Sequence, residues 1–324
     1  MKSKLRERLE SPISIGIFIF LIVATLTQWL NRLVEIELRD LVIALNGILG
    51  DVIIFAVLIV WINRRRELSD RMRSYTEMLE DFRFWKSEEG VNRKVGILRR
   101  LRAMDQPLPS LNRMELEGAY LKGFHMNKVD LSHANLTAAF LLDTQIKQAN
   151  LRMASLERAY LQNACLEDSQ LQEAFVAFVD FRSSNLNRID ATLANFEGAV
   201  CWNAQLKRVC FEGANLDKAD FDHADLTGAY CAKAVWGQAN LKGAILDQVD
   251  LRGCDLSQVD GLLPEQLETI YLDEETILPP GFSTIREKLL AKAGPIQRPL
   301  PQFNASPPPF RRSAQGRDQM TMSL

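Results

Sequence analysis

Any chemistry performed by this chain would have to come from its 5 cysteines, its 3 histidines or some pairing among its 41 aspartates and glutamates. Cys165, Cys201, Cys210, Cys231 and Cys254 follow no CxxC spacing and have no companion histidines, so neither a zinc site nor a disulfide framework is indicated. They read as reduced packing residues. His125, His133 and His223 are scattered, and no glycine-rich loop precedes a helix to cradle a phosphate. No catalytic arrangement survives, so the expectation is a non-enzyme with no cofactor, no metal and no small-molecule substrate. One carboxylate stands apart. Asp51 lies inside an apolar run where, in a bilayer, an ionised acid would cost a few kcal/mol. It could serve as an ion or proton site. The simpler reading is a polar contact with Asn46, Thr25 or a neighbouring protomer, helped by close approach at Gly47 and Gly50. The contact is preferred, because a single acid with no second intramembrane charge makes a poor pathway.

The elements that must position these residues change sharply along the 324-residue chain. After a basic start, residues 1–12, the stretches 13–33 and 41–62 are apolar enough to read as two membrane-spanning helices of a hairpin. Lys2, Lys4, Arg6 and Arg8 precede the first and Arg64, Arg65 and Arg66 follow the second, which predicts both termini and everything after the hairpin on the cytoplasmic side of a bacterial inner membrane. A cleaved signal peptide is the other reading of the first run, but no small-residue cleavage motif follows it. Residues 63–89 are charged yet keep Leu68, Met72, Tyr75, Leu79 and Phe82 at alternating four and three spacings, the seam of an amphipathic stalk helix. That seam could pair two copies of the chain or pack on its own neighbour. Gly90 reads as the stalk's stop, and residues 91–110 as a second helix ended by Pro107 and Pro109.

From residue 111 to 260 every fifth position is apolar or small, Leu111, Leu116, Leu121 and so on to Leu256, and small side chains dominate two residues earlier, as at Ala134, Ala149 and Ala214. A period of five fits neither a helix nor a strand, so the segment must be a solenoid. It resembles the pentapeptide-repeat family, whose motif A-(D/N)-L-x-x is met outright at Ala134-Asn135-Leu136, Ala149-Asn150-Leu151, Ala214-Asn215-Leu216, Ala224-Asp225-Leu226 and Ala239-Asn240-Leu241. The resemblance implies an all-β solenoid, a right-handed quadrilateral β-helix with four pentapeptides per coil and the central and preceding small residues pointing inward. At ~4.8 Å per coil the rod would be about 35 Å long. Residues twenty apart should stack, which places Cys201 between Phe181 and Phe221, and Phe211 between Ala191 and Cys231, large beside small. Residues 261–293 resemble the helical closing segment of some such solenoids, and the Pro-rich residues 294–324 read as a disordered tail with a docking role open to it.

Sorting outward positions by the twenty-residue rule isolates one apolar face, Tyr120, Phe140, Leu142, Tyr160, Val200 and Trp202, as a candidate protein-interaction surface. The chain's own helices could equally cover it. Phe175 and Phe178 form a smaller candidate on another face. The expected function is therefore a membrane-anchored, non-catalytic scaffold that binds a protein partner. A small oligomeric channel or transport-regulating subunit is a second reading. The resemblance also implies a third, mimicry of duplex DNA by an acidic rod, as in gyrase-protecting members. Residues 111–260 carry roughly 20 acids against 14 bases, too mixed for that, and a net charge of −2 for the whole chain gives no drive toward nucleic acid.

Overall fold

The computed structural model describes residues 20–29 and 39–292, apart from the side chains of residues 39–48, 283 and 289–292. The chain divides into two compact units, Met1–Glu77 and Met78–Leu324. In the first, residues 20–29 are helical, and a long helix, α1 (Arg39–Asp81), begins. The multi-pass membrane placement expected above, with lipid as a partner, is overturned: among the described residues no helix is long and apolar enough to cross a membrane. Helix α1 carries Asp51 within its apolar stretch and Arg64, Arg65 and Arg66 just beyond it. Most of the expected first span and the basic start lie outside the described residues, as does the Pro-rich tail.

The stalk ends earlier than its composition suggests, at Asp81, where Phe82 and Trp85 turn back with their rings 5.4 Å apart. Gly90 is not a stop. It lies in the first turn of α2 (Glu88–Ala103), where a Cβ would meet the Trp85 ring at 2.6 Å, so the close approach requires glycine. Ser87 caps that helix by accepting the Gly90 N–H, while Glu88 and Glu89 in the first turn and Arg100 and Arg102 in the last complement its dipole. Its stripe Val91, Val95, Leu98 and Leu101 is buried, and Arg102 of the same helix lies over the Phe124 ring of the first coil, 5.4 Å from its centroid.

From Glu115 to Asp260 the solenoid pairs outward residues with those twenty later in parallel register, in four columns that make four faces. Its five-residue motif follows from the backbone's donors. Around Leu131, the central N–H donates to Asn150 O, the His133 N–H to Arg152 O, the Ala134 N–H back to Leu131 O and the Asn135 N–H to Met114 O. Only the N–H following the central residue is left, and the side chain of the preceding Asp or Asn accepts it: Asp130 from Ser132, Asn150 from Arg152, Asp190 from Thr192, Asn240 from Lys242. The acid or amide of the motif is thus a corner cap that completes the backbone's hydrogen bonding. Inside, Phe181, Phe196, Phe211, Phe221 and Trp236 form a continuous aromatic column with centroids 5.0 to 6.2 Å apart. Cys201 and Cys231 are fully buried among these large side chains.

At the far end the expected helical closure is mostly irregular chain. Asp250 pairs with Tyr271 and Asp255 with Ile277, so two faces gain one more rung. Before them the 3-10 turn Pro264–Leu267 buries Leu267, and Gln266 Nε2 donates to Leu241 O and Ala244 O. Helix α3 (Ser283–Lys292) follows, held by Arg286, which donates to the carbonyls of Thr276 and Glu274.

Candidate functional site

The structure brings three of the predicted surface residues together. Tyr120, Phe140 and Tyr160 occupy successive rungs of one face, with centroids 6.1 Å apart for the first pair and 5.0 Å, nearly parallel, for the second. They are 53%, 39% and 41% exposed, which leaves them open to solvent after they have stacked on one another. These are positions where the fold's own chemistry favours Asp or Asn. With an aromatic ring there instead, the following N–H groups of Lys122, Leu142 and Gln162 receive no cap from that side chain, a contribution of about 0.5–1.5 kcal/mol forgone at each corner. Half-buried Leu142 extends the apolar strip at the corner beyond Phe140.

Val200 and exposed Trp202 are on the same face, but the rung between them and Tyr160 is polar. There Asp180 takes the Arg182 guanidinium at 2.7 Å and the Gln162 amide. Burial alone would raise the Asp180 carboxyl, and these donors together bring it below its usual range. The predicted face is therefore a three-rung ladder and a separate Val200–Trp202 spot. Phe175 and Phe178 are exposed on the neighbouring face, and Gly198 leaves room for the Phe178 ring, since a Cβ there would lie 2.6 Å from it.

The remaining predicted residues do not assemble into a site. Asp51 is exposed on α1, while the Asn46 side chain lies outside the described residues. Thr25 donates its hydroxyl to Leu21 O and Ile22 O of its own helix. Along the stalk seam Leu68 is exposed and Met72 and Tyr75 are half-buried, but Leu79 is already covered, so the seam is not free over its whole length. A groove of about 780 Å³ between the last turn of α1 and α2 has Met78, Phe82 and Ile97 in its lining, with Arg93 on its rim already paired to Glu89. Burial pushes the Cys201, Cys210 and Cys254 thiols up, the last to about 11, away from reactive thiolate. Among the described residues no group of His, Cys, Asp and Glu could hold a metal ion.

Sequence analysis missed the cap rule that gives the aromatic positions their meaning. Its signal was present in the recurrence of Asp and Asn before many of the central residues, as at Asp130, Asn150, Asp190 and Asn240. It also missed buried Lys94 on α2, whose ammonium donates to Trp85 O at 2.8 Å and whose pKa burial lowers to about 8, with Glu115 pulling the other way.

With this geometry in place, the comparison with known families is direct. The family described as pentapeptide repeats matches in 8 copies, over residues 115–152, 143–175, 177–213, 194–230 and 219–258. Residues 115–258 are thus pentapeptide repeats. Solved structures similar to it include HetL, a pentapeptide repeat protein involved in heterocyst differentiation regulation from the cyanobacterium Nostoc sp. strain PCC 7120. That likeness has 22% identity and a TM-score of 0.37, and covers 57% of this chain and 90% of HetL. QnrB1, a plasmid-mediated fluoroquinolone resistance protein, is similar at 19% identity and TM-score 0.37, over 53% of this chain and 88% of its own. A pentapeptide repeat protein from the Arabidopsis thaliana thylakoid lumen is similar at 25% identity and TM-score 0.21, over 35% and 68% of the two chains. No curated relative matches the chain in sequence.

Proposed function

We propose that the protein is a non-catalytic interaction module whose rod presents the Tyr120–Phe140–Tyr160 ladder to a protein partner. The observation that carries this reading is the exchange of three consecutive corner caps for three stacked, exposed rings on one face. Aromatic rings with one flat side against each other and an edge in water are the groups that most often anchor protein interfaces. The polar rung at Asp180 bounds the surface on one side, as a rim does.

The test is crosslinking capture with the full chain, comparing wild type with a Tyr120→Asn/Phe140→Asn/Tyr160→Asn variant. Asparagine is the fold's own choice at these positions, so the variant keeps the solenoid's circular dichroism and melting point. Capture of a specific partner by wild type, reduced about tenfold or more in the variant, is the expected result. Undiminished capture by the variant would remove the ladder from the interface.

A further inference from the structure

The ladder rings repeat with the rise of the solenoid, about 4.8 Å per rung, so Tyr120 and Tyr160 stand about 9.6 Å apart along the rod. A polyproline II segment rises about 3.1 Å per residue and shows the same side every third residue, about 9.3 Å. Laid along the rod, such a segment meets alternate rungs in register, and its pre-extended form loses little entropy on docking against aromatic rings. The chain has a stretch of suitable composition. Residues 295–312, PIQRPLPQFNASPPPFRR, hold Pro299, Pro301 and the run Pro307, Pro308, Pro309, with Phe310 three residues after Pro307 and Arg311 and Arg312 beyond it. They lie outside the described residues.

Reach and charge agree with this occupant. Helix α3 ends at Lys292 and is tied by Arg286 to the closing segment of the rod. About fifteen extended residues from there to Pro307 cover roughly 46 Å. On the ladder face, the Asp260 and Tyr160 rungs are five rungs apart, about 24 Å. Glu117 and Glu157 stand exposed at the corner before the ladder, two rungs apart and in no ion pair among the described residues, with Arg158 the cation beside them. A second copy of the chain fits less well. Three rungs offer far less than the roughly 800 Å² per partner of a stable interface. Extending the contact would bury Asp180, Asp220 and Asp260 of the same column.

Resting on the interaction reading above, we propose that the ladder is the docking strip for this chain's own Pro-rich segment, residues 299–312. The segment lies along the ladder as a polyproline II helix with Arg311 and Arg312 toward Glu117. It thereby competes with any external partner for the same rings.

Trypsin cleavage of the intact protein tests this, because docking shields the bonds after Arg311 and Arg312 while the bond after Arg317 serves as an internal reference. Both shielded bonds are expected to be cut about tenfold faster in the Tyr120→Asn/Phe140→Asn/Tyr160→Asn variant, since cleavage follows the undocked population. The same acceleration is expected in a Pro307→Ala/Pro308→Ala/Pro309→Ala variant, which leaves the solenoid untouched, and the two sets combined should add nothing further. Equal cleavage in wild type and the ladder variant overturns the proposal. So does a dimer that the ladder substitutions dissolve while tail cleavage stays unchanged. If cleavage is unchanged but the ladder variant still loses its captured partner, only this inference falls; if both are unchanged, the interaction reading falls with it.

Discussion

At each corner of the solenoid one residue is held in the left-handed region, at φ 53° for Ala138, 58° for His133 and 65° for Gly118. Non-glycine residues pay for that conformation, and the corner tolerates it because the same residue's N–H bonds the next coil, as His133 N does to Arg152 O. Glycine is therefore convenient at most corners and required at few. A Cβ added at Gly118 would meet no described atom within 4 Å, whereas one added at Gly261 would lie 2.7 Å from the Lys242 backbone nitrogen. Gly118→Ala should cost only the left-handed term, about 1 kcal/mol, and Gly261→Ala distinctly more, because backbone cannot step aside. Chemical denaturation of the two variants checks this, and equal losses would mean that the turn at Gly261 relaxes.

At the scale of elements, α2 both meets the first coil, through Arg102 over the Phe124 ring, and is the place where a lysine is buried. Lys94 fastens the Phe82–Ser87 turn through Trp85 O, and burial lowers its pKa to about 8. The sign of the consequence follows from proton binding. Below pH 8 the amine is protonated both folded and unfolded. Between pH 8 and about 10.5 the unfolded chain keeps a proton that the folded one has lost, so unfolding takes up a proton and stability rises with pH, by at most about 1.4 kcal/mol per unit. The buried thiols of Cys201, Cys210 and Cys254, pushed up in the fold, act the opposite way over the same range, so Lys94 shows as a difference: the denaturation midpoint of Lys94→Met should fall relative to wild type as the pH goes from 8 to 10. An unchanged slope in that variant would assign the effect to other groups. Nothing in the charged run around Lys94 distinguishes it in the sequence from Arg93 or Arg99; it is buried only because the chain doubles back at Trp85, and no periodicity announces that turn.

For the whole molecule, what the sequence reveals is whatever the repeat enforces. The five-residue period gives the inward column, the large-beside-small pairing of Cys201 with Phe181 and Phe221, and the rungs of Tyr120, Phe140 and Tyr160, because each is a consequence of stacking twenty residues apart. Where the period stops, the reading fails. The closing segment departs from the register by one residue at Tyr271 and two at Ile277, shifts that depend on which side chains fit the last coil. The apolar run around Asp51 is legible only as composition, and among the described residues no helix is long and apolar enough to cross a membrane. A structure held coil by coil also has a mechanical signature, since each coil contacts only its neighbours. Gln266 pins the last regular coil through Leu241 O, Ala244 O and the Leu263 N–H. Replacing it with alanine leaves three backbone groups without their partner, at a cost on the order of 1–3 kcal/mol. The loss should stay local. Hydrogen exchange at residues 241–260 should quicken about 10- to 100-fold, while amides of residues 151–200 keep their protection. A uniform acceleration along the rod would show instead that the coils open as one cooperative unit, and that the closing segment governs the stability of the whole solenoid, the aromatic ladder included.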